Sequence, residues 1–292
     1  MKQWLKDNAP GVRRLWRRAS RLRWMAKYRV LRYYDAPVAT RTGLRYVLWD
    51  PEVESHSYEL ANEGEVAGFC AAAFDMPLED AERYVEEARR EPEFTTELRR
   101  RTRWAFDVKT QPPIALRLLW WVLVRHRKPR LVVETGIYEG LGTLVVLVAL
   151  ERNAAEGGPD GRLLSIDSDP ASGRLVPEHL KRRWEKAVGY TSDVMDEAVG
   201  DRQVDVLIHD TPHLPEIQDH EFGVALAHAA DTLTIIEGSG GQLPNLTELA
   251  RRHGTTVHHF TPEPRDHAVR PHGVDFATFR RTRGGAPSAN TD

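Results

Sequence analysis

From Arg130 onward, short runs rich in Val, Ile and Leu alternate with stretches of helical patterning, and nothing constrains the fold of this 292-residue chain more. The runs are LVVE, RLLSID, a short AVGY, VDVLIHD and TLTIIE. Between them lie Gly140 to Arg152, Pro177 to Lys186, Asp193 to Val199 and Pro215 to Ala229, with Pro244 to His253 after the last. Alternation on this scale predicts a doubly wound, mostly parallel α/β sheet with helices on both faces. The final runs, TTVHHF and GVDFATFRR, carry no helix between them and are predicted to pair as an antiparallel hairpin, which makes seven strands.

No strand is clear before Arg130. Tyr34 to His56 reads as irregular or as a short hairpin, with Pro37 and Pro51 inside it. Ser57 to Phe74, Pro77 to Arg90, Glu93 to Phe106 and Pro113 to Arg127 read as helices, with Asp75 before Pro77 as a start signal. The expected division is a basic arm over residues 1–34, a mainly helical region over 35–128, the sheet domain over 129–283 and a disordered polar tail over 284–292.

Charge separates the arm from the rest. Met1 to Tyr34 holds eleven Lys and Arg against Asp7 alone, so the segment is +10 in a chain whose net charge is −2. Val12, Leu15, Trp16, Ala19, Leu22 and Met25 recur at helical spacing among the arginines, which predicts a basic amphipathic helix. The leading expectation is an arm packed on its own domain or on a sister subunit of a homodimer. Peripheral contact with an anionic membrane is the second, and nucleic acid is not expected, because no reading motif accompanies the charge.

The longest apolar runs, LLWWVLV and LVVLVAL, are far too short to span a bilayer. Met1 to Pro10 leads into arginines rather than a signal-peptide core, so a cytoplasmic location is expected. The single cysteine, Cys70, excludes an internal disulfide or a cysteine-based zinc site, and its apolar setting VAGFCAAAF predicts burial.

In LVVETGIYEGLGT an acid, Glu134, ends the first strand of the alternating region, and Gly136, Gly140 and Gly142 open the helix behind it. Ligands of doubly wound sheets bind at such strand ends. Dinucleotide sites use the spacing GxGxxG; the spacing here is GxxxGxG, and Glu134 stands where it would repel a pyrophosphate. An acid there suits a cationic ligand, which disfavours a nicotinamide dinucleotide-dependent oxidoreductase.

ETGIYEGLGT resembles the first motif of class I S-adenosylmethionine-dependent methyltransferases, in the branch of small-molecule O-methyltransferases. RLLSIDSDP resembles the family's second strand, GYTSDVM its third-strand segment and VDVLIHDTPH its fourth, and the order is the family's from Arg130 to about Arg281. The resemblance implies a Rossmann-like methyltransferase fold and S-adenosyl-L-methionine as cofactor. Glu134 and Gly136 would hold its amino-acid end, Gly140 and Thr143 the backbone turn, Asp167 the ribose, and Thr191 would lie near adenine. Gly142 stands where the branch usually has serine, and Tyr190 where the third motif has aspartate.

His209, Asp210 and His213 fall at or just past the end of a strand. A sulfonium methyl group is already electrophilic, so such an enzyme needs in-line alignment and a group to take the acceptor's proton. His213 is the preferred general base, with Asp210 beside it; His209 is expected to turn into packing, and His220 and His228 to be solvated or structural. Related enzymes place carboxylates after the fourth and fifth strands for a divalent ion, positions held here by Asp210 and Glu237, a set suited to Mg²⁺. The function expected is methylation of a hydroxyl on a small molecule such as a sugar or other secondary metabolite. A non-catalytic or membrane-surface module that keeps the fold is the alternative.

Overall fold

The computed structural model describes residues 58–101, 110–238, 245–265 and 273–281. The basic arm, the Tyr34 to His56 segment, the end of the third expected helix and the C-terminal tail lie outside the described residues, wholly or nearly so.

After the two-residue strand β1 (Glu59–Leu60) come α1 (Glu63–Phe74) and α2 (Leu78–Arg90). The helix expected from Glu93 begins as a π-helical stretch, Glu93–Leu98. Asp75, expected to start α2, instead ends α1 in a left-handed conformation (φ 54°). A 3₁₀ turn, Ala115–Arg117, leads into α3 (Leu118–Arg127), whose residues Leu118 to Arg125 are all buried. It is apolar all round because it is covered all round.

The sheet domain follows the predicted alternation: β2 (Leu131–Thr135), α4 (Leu141–Ala155), β3 (Arg162–Asp167), β4 (Trp184–Val188), α5 (Thr191–Val199), β5 (Val204–His209), α6 (Pro215–Ala227), β6 (Ala229–Glu237), α7 (Asn245–Arg252), β7 (Val257–Phe260), the short β8 (Pro264–Arg265) and β9 (Val274–Arg280). One boundary moves. The helix expected over Pro177 to Lys186 is a 3₁₀ turn ending at Arg183, and Trp184 already belongs to β4, which takes most of that helix's last turn.

The seven strands lie in the order β4-β3-β2-β5-β6-β9-β7, parallel except for β9, which runs antiparallel to both β6 and β7. The predicted hairpin therefore forms, but its second strand inserts beside β6 and leaves β7 at the edge. One apolar layer joins α1, α2, α3 and α4 to one face of the sheet, through residues such as Trp121, Leu147, Val132 and Ile208. The other packs α5, α6 and α7 on the opposite face through Met195, Phe222, Leu249 and Val133. The helical N-terminal region is thus part of the main core. Arg125, buried in α3, fastens the layer by pairing with Glu87 of α2 and with Glu156 just beyond α4. Cys70 is fully buried, and burial pushes its thiol pKa well up.

Candidate functional site

β2 lies between β3 and β5, so its two neighbouring connections leave in opposite directions across the sheet. A crevice opens where the carboxyl ends of adjacent strands part in this way. A cavity of about 720 Å³ sits there, bordered by Gly136, Asp167, Thr191, Asp210, Arg117 and His220 among others.

Gly136 is required by its surroundings. Its φ is +84°, and a Cβ on it would lie 2.2 Å from the carbonyl oxygen of Asp210. The turn after β2 is in this way pressed against the turn after β5. Gly140, the N-cap of α4, abuts the backbone of Gly173 in the loop beyond β3.

Asp167 ends β3 and reaches back to this turn. One carboxylate oxygen accepts from the backbone N–H groups of Ile137 (2.8 Å) and Tyr138 (3.0 Å), and the other from Asp169 N–H (2.8 Å). Three bonds leave acceptor capacity on a carboxylate, which offers about four lone-pair sites. A ligand hydroxyl can still donate to it.

Glu134, Thr143 and Gly140 do not border the cavity. Glu134 is 2% exposed and accepts hydrogen bonds from Thr143 and Ser165, both at 2.7 Å. Burial pushes its carboxyl up to about 7, against the pull of those two hydroxyls. The acid thus supports the turn from behind, and Thr143 belongs to its support. Gly142, where the related branch has serine, has an observable reason to be bare: a Cβ there would lie 2.3 Å from the Trp120 ring and 3.1 Å from Glu134 Oε1.

Asp210 faces the cavity with 43% of its side chain exposed. Burial raises its pKa, while the Arg117 guanidinium, 3.8 Å away, pulls the other way. Arg117 is itself buried and lies over the Trp120 ring, 5.2 Å from its centroid. Sequence reasoning missed Arg117. The available signal was a lone cation inside the apolar segment IALRLLWW, where a charge costs free energy unless it has a partner.

His213 is not among the cavity's bordering residues. It is 31% exposed, with its ring edge-on to His209 (centroids 5.0 Å apart) and Nδ1 3.8 Å from Glu237 Oε1. His209 turns into packing as expected, 1% exposed, with Nδ1 2.7 Å from Glu221 Oε2. Glu237 is fully buried and accepts from the Gln218 side-chain amide. Nitrogen and oxygen ligand atoms of His209, His213 and Glu237 all lie within 4.8 Å of one another. The histidines were expected to serve as base and packing, and the metal pair to be Asp210 with Glu237; the grouping of ligand atoms found in the structure is different. His220, expected to be solvated or structural, borders the cavity and approaches the Thr191 carbonyl at 3.2 Å. Tyr190, 70% exposed, stands at the cavity rim in place of the resembling family's aspartate.

The strand order defines a Rossmann-like sheet domain with a crevice at its switch point. Residues 133–236 match the family model described as a methyltransferase domain. The matched span runs from β2 to the end of β6 and takes in most of the residues that border the crevice. No curated protein matches the sequence. Among solved structures, the chain is similar to the O-methyltransferase TomG from Streptomyces achromogenes, involved in tomaymycin synthesis and crystallised with S-adenosylmethionine, at 18% identity over 83% of this chain and 96% of that one (TM-score 0.45). It is also similar to a methyltransferase from Geobacter sulfurreducens, at 17% identity over 65% and 90% (TM-score 0.45). A third is the O-methyltransferase from Bacillus cereus in complex with S-adenosylhomocysteine, at 13% identity over 68% and 99% (TM-score 0.45).

Proposed function

We propose that the protein transfers a methyl group from S-adenosylmethionine to a hydroxyl of a small molecule, with both ligands meeting in the crevice beyond β2, β3 and β5. The observation that carries this reading is the cavity itself. It is of small-molecule size, and three sequence-assigned cofactor residues, Gly136, Asp167 and Thr191, border it together with Asp210.

In this reading Asp167 accepts a ribose hydroxyl with its remaining lone pair, and Thr191 and Tyr190 flank the adenine. Glu134, Gly140 and Thr143 hold the shape of the turn against which the amino-acid end lies. The cofactor supplies an electrophilic methyl group; the protein supplies alignment and a place for the acceptor's proton. Asp210 is the better proton acceptor, because it borders the cavity whereas His213 is not among the bordering residues. Burial above the usual carboxylate range brings its basicity closer to that of the task, and Arg117 keeps the charge in place. Sugars and secondary metabolites are the acceptors in view.

Incubating the full chain with S-adenosylmethionine and panels of hydroxylated, amino and thiol acceptors, and following S-adenosylhomocysteine release, tests this. Turnover is expected with hydroxylated compounds, and Asp210→Asn is expected to lower it roughly 10²-fold or more with cofactor affinity kept within a few-fold. Turnover confined to amines or thiols, or full activity in Asp210→Asn, would contradict it.

A further inference from the structure

We infer that His209, His213 and Glu237 form a binding site for a divalent transition-metal ion, distinct from the all-oxygen pair expected of Asp210 and Glu237. The ligand atoms come from the ends of two paired strands and the loop between β5 and α6. His209 and Glu237 are register partners across β5 and β6, and His213 returns over them from the loop. With all three ligand atoms within 4.8 Å of one another, small side-chain rotations bring them to the roughly 3.3 Å spacing of ligands about 2.0–2.1 Å from a tetrahedral ion.

His209 supplies the decisive observation. Its Nδ1 is engaged by Glu221, leaving Nε2 inside the protein with no hydrogen-bond partner among the described residues. A buried polar atom without a partner costs free energy. With Nδ1–H donated to Glu221, Nε2 carries a lone pair, the form in which imidazole binds a metal. Thr135 also donates its hydroxyl to Glu221, so the carboxylate facing His209 is held from a second side.

The surroundings repeat the pattern of metal centres. A ligating histidine that donates its other nitrogen to a buried carboxylate is fixed in tautomer and orientation. Here Glu221 also accepts from Thr211 at 3.0 Å, so the orienting carboxylate is itself oriented. Gln218 does the same for Glu237. Two imidazoles and one carboxylate with positions left over favour zinc or another first-row transition ion over Mg²⁺, which prefers oxygen ligands and waters. Partial exposure of His213 leaves a way in for the ion, and Gly238 lies near both His213 and Asp210: a Cβ there would lie 3.8 Å from Asp210 Oδ1 and 4.0 Å from His213 Cε1.

The test uses the full chain stripped with a chelator and titrated with Co²⁺ as a visible-absorption probe, with Zn²⁺ as competitor and Mg²⁺ as control. One equivalent of Co²⁺ is expected to give ligand-field bands of a low-coordinate site with nitrogen ligands, displaced by Zn²⁺ and not by Mg²⁺. His213→Ala, at a partly exposed loop position, is expected to abolish the bands; Glu221→Gln should weaken binding about 10- to 100-fold, and Asp210→Asn should leave the spectrum in place. Absence of binding, bands that survive His213→Ala, or a site that takes Mg²⁺ and is lost only in Asp210→Asn would overturn the inference. S-adenosylhomocysteine calorimetry on the same stripped samples keeps this outcome separate from the proposed function.

Discussion

Glu134 shows how a motif residue can be legible in sequence and yet be assigned the wrong neighbours. Its position at a strand tip before glycines marks the site, but which way its side chain points depends on Thr143 and Ser165, one from the following helix and one from the adjacent strand. Only the fold brings those hydroxyls together. With its folded pKa raised to about 7 from an ordinary value near 4.5, Glu134 binds a proton in the folded chain across a range where the unfolded chain has lost it. Its contribution to stability is therefore greatest below about pH 4.5 and is lost as pH rises towards 7, by an amount on the order of 3 kcal/mol. Glu134→Gln removes the ionisation while keeping an acceptor for the hydroxyls. In urea titrations its stability relative to the parent is expected to rise between pH 5 and pH 8; a difference constant with pH would show that Glu134 is ionised throughout.

At the scale of elements, the sheet was largely readable because each strand is a short apolar run bounded by helical stretches. The readings that failed share a cause. The end of the Pro177 to Lys186 segment was read as helix because its charges and apolar residues fit either period; pairing with β3 decides in favour of strand, through contacts such as Leu163 with Trp184. Gly142 was read as a departure from the related pattern without a reason. Its reason is α3, from outside the motif region, whose Trp120 ring fills the space that a serine would need. Gly142→Ser is accordingly expected to destabilise the protein by about 1–3 kcal/mol through overpacking, read as a lower urea midpoint with an unchanged slope. Shortening the neighbour in Trp120→Leu/Gly142→Ser should recover part of the loss; an unaffected single variant would mean that the ring moves aside freely.

Among the described residues, one continuous apolar layer joins a helical N-terminal region to the sheet domain, so the two are expected to unfold together. That much was hidden in the sequence, where the mainly helical region over 35–128 carries no signal of the face on which it packs. Arg117 and Asp210, one from each part, meet over the cavity for the same reason. The basic arm is a different case, since a charge of +10 in thirty-four residues makes a poor core element. Deleting Met1 to Arg32 is expected to leave a folded chain that still binds cofactor, by thermal melting and calorimetry; an insoluble or molten product would place the arm in the core or in a subunit interface.

The identity of the ligand in the crevice is settled most directly by titration calorimetry of the full chain with S-adenosylhomocysteine and with NADH side by side, repeated on Asp167→Ala. Saturable binding of S-adenosylhomocysteine, none of NADH, and a loss of roughly tenfold or more in the variant is the expected result, since a charge-assisted hydrogen bond contributes about 1.5–3 kcal/mol. The variant should also melt earlier, because Asp167 ties down the Ile137 and Tyr138 amides. Binding of NADH in preference, or S-adenosylhomocysteine affinity unchanged in Asp167→Ala, would contradict the assignment of this crevice to the methyl donor.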